Sequence, residues 1–121
     1  MGVQRYEDLK VWQQARLLCN ELFALLKAPS LRRDYALTNQ LNTAALSTVA
    51  NTAEGFLRRS DKDFARFLRI AGASNGETRA LLYIAKDRNY LTDTELARLV
   101  EMTSSIGRML GALERHLRTK H

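Results

Sequence analysis

The sequence predicts an all-α protein folded as an up-down-up-down antiparallel four-helix bundle. Three observations point there. One proline and six glycines are all that punctuate 121 residues, and Leu, Ala, Arg and Glu dominate the rest, which favours helix almost throughout. Apolar residues recur at helical spacing in four successive stretches and show no useful run of period-two alternation. The connections between those stretches are short, which makes neighbouring helices antiparallel.

The first helix is expected from about Asp8 to Lys27, with Leu9, Trp12, Cys19, Leu22, Phe23 and Leu26 on its inner side; Pro29 ends it. Residues 28–34 read as a connection. The second helix begins near Tyr35 to Thr38 and carries Leu37, Leu41, Ala45, Val49, Ala53 and Phe56, while Gly55 is placed to adopt the left-handed conformation that stops a helix. Ser60-Asp-Lys-Asp63 offers a capping hydroxyl and two first-turn acids to the third helix. That helix runs to about Arg88, with Phe64, Phe67, Leu68, Ala71, Ser74, Thr78, Leu81 and Ala85 on one stripe. After a break at 87–91, Thr92-Asp-Thr-Glu95 matches the capping box of the fourth helix. Leu96, Leu99, Thr103, Ile106, Leu110, Leu113 and Leu117 then form the cleanest seam, in steps of three and four. No repeat, low-complexity tract or linker divides the chain, so residues 1–121 are expected to form one domain.

Composition narrows the function. A chain 45% hydrophobic and 26% charged is globular in character. No apolar run approaches the roughly 20 residues of a membrane span, and the first residues form no apolar leader. The cytoplasm is the expected location. Cys19 cannot form an internal disulfide and is expected to be a buried, inert thiol. A di-iron bundle needs a histidine three residues after an inward glutamate; Glu54 is followed there by Leu57, and Glu77 by Ala80. The only histidines are His116 and His121, too few and too late to make a zinc site with one cysteine. No catalytic residue, metal or cofactor is expected, and the protein reads as non-enzymatic.

Polar residues nonetheless enter the helical pattern. Asn51 and Glu54 share one face near the end of the second helix, and Ser74 and Glu77 lie on one line of the third. A carboxylate drawn into a bundle is costly unless bonded or paired. These four residues are therefore expected to form an interhelical clasp that sets register, with Glu77 facing Glu54; the alternative is a binding role for the acids. Gly72 and Gly76 on the third helix, and Gly107 and Gly111 on the fourth, make small-residue lines off the main seams. An interior glycine costs a helix about 1 kcal/mol relative to alanine. The expected compensation is contact with another subunit, the alternative being tight packing within the monomer.

The net charge of +6 is unevenly placed: residues 1–57 hold six Lys and Arg against five Asp and Glu, residues 58–121 thirteen against eight. Arg58 and Arg59 precede the third helix, and Lys62, Arg66 and Arg69 follow at i, i+4 and i+7 on its outward face. Such a row can meet successive phosphates, releasing counterions and binding with steep salt dependence but no sequence reading. The alternative is a solvated face offset by Asp61 and Asp63. Aromatic residues are not interleaved with the row, so no base-stacking platform is expected on it.

Taken together, the chain resembles the four-helix bundle family of proteins encoded in intervening sequences of bacterial 23S rRNA genes, the S23-type proteins. The resemblance rests on Tyr6-Glu-Asp-Leu-Lys-Val-Trp-Gln-Gln-Ala15, Tyr35-Ala-Leu-Thr-Asn-Gln-Leu41, Asn51-Thr-Ala-Glu-Gly-Phe56, the run from Ser60 to Ala71, Ser74 with Glu77, and Leu82-Tyr-Ile-Ala-Lys-Asp87 leading to Asn89-Tyr-Leu91. It implies a cytoplasmic homopentamer without enzymatic activity, akin to the accessory protein that works with nucleic acid and a reverse transcriptase in diversity-generating retroelements. A basic pair common in the family is replaced by Asn42 and Thr43, and a proline by Val49, which moves the expected nucleic-acid contacts onto Arg58 to Arg69. The expected partners are other copies of the chain and rRNA or another nucleic acid. The alternative is a protein–protein scaffold or accessory subunit with no direct nucleic-acid role.

Overall fold

The computed structural model describes residues 2–120. A 3-10 turn at Tyr6–Asp8 leads into α1 (Lys10–Leu26), α2 (Pro29–Arg33), α3 (Tyr35–Phe56), α4 (Asp61–Asp87) and α5 (Asp93–Thr119). The four long helices make the expected antiparallel bundle: α3 packs on α4, α4 on α5, and α1 closes the ring against α3 and α5. The ends follow local chemistry. Asp63 N–H donates to the Ser60 hydroxyl at 3.1 Å. The Thr92–Glu95 capping box closes in both directions, at 2.8 and 3.1 Å. At the other end of α4, Asn89 carries φ 62°, the left-handed step that stops the helix.

Three expectations change. Residues 29–33 are a helical turn rather than an open connection: proline at N1 starts it without sacrificing a needed amide, and Leu31 anchors it in the core. Gly55 does not cap α3 in a left-handed conformation, since no described glycine has positive φ. It is instead a point of close approach, where a Cβ would stand 2.7 Å from Cβ of Phe67 and 3.2 Å from the carbonyl oxygen of Phe64. The inner line of α1 is also rotated. Val11, Ala15, Leu18, Leu22 and Leu26 are buried, Cys19 is half-buried, and Phe23 is 57% exposed. Burial pushes the Cys19 thiol up to about 11, so it stays protonated.

The core is more polar than apolar spacing implies. Thr48 and Thr52 of α3, Asn75 and Thr78 of α4 and Thr103 of α5 are all buried. The threonine hydroxyls satisfy themselves by donating to carbonyls of their own helices, as in Thr52 to Thr48 at 2.7 Å and Thr78 to Ser74 at 3.0 Å, leaving their methyls to pack. On α5 the expected seam holds, with Leu99, Thr103, Ile106, Leu110 and Leu117 buried.

One polar tie closes the end of the bundle where α2 meets the α4–α5 loop. The Asp34 carboxylate accepts from Leu37 N–H at 3.4 Å, from Arg88 at 2.8 Å and from the Tyr90 hydroxyl at 2.9 Å. The Arg88 and Tyr90 hydrogen bonds hold the Asp34 carboxyl below its ordinary value, and donation to Asp34 raises the Tyr90 phenol.

Candidate nucleic-acid interface

The turn between α3 and α4 and the start of α4 place the expected basic row at the opposite end of the bundle. Arg58, Arg59, Lys62, Arg66 and Arg69 are all exposed. Their electrostatic situations differ. Arg58 pairs with Glu54 at 2.6 Å, Arg66 with Asp63 at 3.7 Å, and Arg69 with Glu114 at 3.4 Å. Arg59 and Lys62 have no carboxylate partner among the described residues. The guanidinium carbons of Arg58 and Arg66 each lie 4.7 Å from the centre of the Phe67 ring. That ring is half-buried and already covered by cations, so an aromatic does stand beside the row but is not free to stack on a base.

Because α5 runs antiparallel to α4, its last turns return to this end and add two cations that local spacing does not associate with the row. Arg118 shares Glu114 with Arg69, at 2.8 Å, and Lys120 pairs with Asp61 at 3.3 Å. Between the helices lies an open groove of about 420 Å³, lined by Asp61, Lys62, Ala65, Arg69, Leu117 and Arg118. Seven cations (the row with Arg118 and Lys120) thus face the four acids that pair with members of the set, Glu54, Asp61, Asp63 and Glu114. Exposed ion pairs are individually weak and screened by salt, so phosphates can replace the carboxylates at small cost.

The expected clasp is corrected in its membership. Asn51 donates to the Ser47 hydroxyl oxygen at 2.9 Å, and Ser47 and Ser74 share a hydrogen bond of 2.8 Å across α3 and α4. Asn51 and Ser74 are thus linked through Ser47, which apolar spacing did not single out. Glu54 and Glu77 are exposed and stand outside this link. Glu54 reaches forward one turn to Arg58 because that pair stays hydrated, whereas facing Glu77 would bury two like charges.

The glycines divide. A Cβ on Gly72 or Gly76 would meet nothing within 4 Å; on Gly107 it would stand 3.4 Å from the Asn75 amide nitrogen, and on Gly111 3.3 Å from the Arg115 guanidinium. Gly107 therefore adjoins Asn75, whose amide donates to the Thr103 carbonyl at 2.8 Å across α4 and α5. No group of three His, Cys, Asp or Glu side chains that could hold a metal ion occurs among the described residues. His116 is exposed; His121 lies outside the described residues. No described helix is long and apolar enough to cross a membrane.

Fold and surface together define a small all-α bundle with a basic end. The chain belongs to the 23S rRNA-intervening sequence protein family, whose profile matches residues 7–112. It is similar to a protein of unknown function from the S23 ribosomal protein family of Bacteroides thetaiotaomicron, with a TM-score of 0.80 and 20% identity over 86% of this chain and 97% of that one. At that identity the likeness concerns the fold. None of the curated proteins compared with the chain matches it.

Proposed function

We propose that the protein is a non-enzymatic, cytoplasmic, self-associating bundle that binds RNA or another nucleic acid through its basic end. The observation that carries this reading is the convergence of Arg118 and Lys120 from α5 onto the Arg58–Arg69 row, where Lys62 lines the open groove and neither it nor Arg59 has a carboxylate partner among the described residues. The family's description names 23S rRNA intervening sequences, which makes structured RNA the first ligand to test. Self-association is supported by apolar side chains left in solvent, among them Leu57 at 66% and Leu46 at 51% exposure, and by the open backbone at Gly72 and Gly76. A homopentamer is the stoichiometry implied by the family resemblance. The same exposed apolar residues favour the second reading, a scaffold or accessory subunit for a protein partner.

Replacing Lys62, Arg66 and Arg69 together with alanine should weaken RNA binding and lower the slope of log affinity against log salt by about 2 to 3. Light scattering should show the assembly unchanged. Unaltered affinity and slope in this variant would reject the basic end as the nucleic-acid surface and favour the scaffold reading.

A further inference from the structure

The opposite end of the bundle carries a second basic patch, built by the helical turn α2. Leu31 buries the inner side of α2, and the Thr38 hydroxyl holds its carbonyl at 2.7 Å, which turns Arg32 and Arg33 outward. The last turn of α1 brings Lys27 beside them, its ammonium 4.8 Å from the centre of the Phe23 ring. Phe23 is 57% and Tyr35 74% exposed. One groove of about 240 Å³ is lined in part by Phe23, Lys27, Arg32 and Asn42, and an adjoining one of about 200 Å³ by Pro29, Arg32, Arg33 and Tyr35. Arg32 belongs to both, so the aromatics and cations form one continuous surface.

Its electrostatics differ from those of the basic row. Two acids of the elements that build it are engaged elsewhere: Asp34 by Arg88 and Tyr90, Glu21 by Arg98 at 2.6 Å. Lys27, Arg32 and Arg33 have no carboxylate partner among the described residues. We infer that this surface binds single-stranded nucleic acid, the cations meeting backbone phosphates while Tyr35, and Phe23 once the flexible Lys27 side chain swings from its ring to a phosphate, stack on unpaired bases. Uncompensated cations alone suit any polyanion. Two largely exposed aromatic rings among them suit a strand whose base faces are open, and a duplex hides those faces.

The test measures binding of a fluorescein-labelled oligo-dT of about fifteen nucleotides and of a duplex of equal length. Both aromatic side chains stand mostly in solvent, so the Phe23→Ala/Tyr35→Ala variant should keep its helical circular dichroism. It should lose about tenfold or more in affinity for oligo-dT, with duplex binding unchanged and Tyr35→Phe retaining most of the wild-type affinity. Oligo-dT affinity unchanged in the double variant would overturn the proposal, as would an equal loss for duplex. Displacement of oligo-dT by polyglutamate at equal charge concentration would also overturn it and assign the patch to an acidic protein. The Lys62/Arg66/Arg69 alanine variant is run beside these. Loss of duplex binding there with oligo-dT binding kept supports two separate surfaces; loss of oligo-dT binding there, with the aromatic variant unaffected, would overturn the assignment to the α2 patch while leaving the basic row standing.

Discussion

The two ends of the bundle are both basic, and they reach that state by different routes. At the α3–α4 turn the cations are numerous but mostly paired, with Glu54, Asp63, Glu114 and Asp61 each holding at least one. At the α2 end Lys27, Arg32 and Arg33 have no carboxylate partner among the described residues, while Asp34 is held by Arg88 and Tyr90 and Glu21 by Arg98. A charge count along the chain favours the first end, since residues 1–57 are nearly neutral in sum. The contrast teaches that surface potential depends on which acids fold toward which bases. Glu7, for instance, offsets the charge count of the first half from beside Arg5 at 2.7 Å, where Arg5 lowers the Glu7 carboxyl.

The largest expected effect tests what holds the first end in place. Gly55→Val puts carbon where the Phe67 Cβ and the Phe64 backbone already stand, and should destabilise the protein by about 3 kcal/mol in denaturant unfolding, the upper part of the overpacking range. A variant as stable as wild type would show that α3 and α4 do not need this close approach to present Arg58 and Arg59.

Next is the tie at the other end. The lowered carboxyl of Asp34 means that folding favours its ionised form. Its contribution is therefore complete above the ordinary value of 3.8 and is lost as pH falls through the lower folded value. Asp34→Asn keeps a capping side chain but removes the charge. Its melting temperature should fall below wild type at neutral pH and converge with it in acid. It also leaves Arg88 unpaired, so binding of oligo-dT near Arg32 and Arg33 should tighten; a decrease would sever the tie from the patch.

The smallest effects separate the middle of the bundle from its ends. Ser74→Ala removes the link to Ser47 and should cost about 1 kcal/mol. Glu54→Gln, in an exposed pair with Arg58, should cost under about 0.5 kcal/mol. Urea midpoints that reverse this order would restore Glu54 to the clasp.

The four long helices, their pairing and their capped starts were legible in the chain because caps and the three-four spacing act within a turn or two, as at Ser60 and Thr92. The basic row on α4 was legible for the same reason. What spacing misjudged was phase and partnership. Phe23 looked inward until Val11, Ala15, Leu18, Leu22 and Leu26 filled the core side of α1. Glu54 looked committed to Glu77 until Arg58, one turn on, offered a hydrated partner. By itself, then, the sequence determined an all-α bundle with a basic α4, since those properties are summed over neighbours in the chain. Only the tertiary structure decided that Arg118 and Lys120 join that row, that Ser47 bridges Asn51 and Ser74, and that Lys27, Arg32 and Arg33 have no carboxylate partner among the described residues. Each depends on groups brought together through space, or kept apart, by antiparallel packing, and such distances leave no period in the chain.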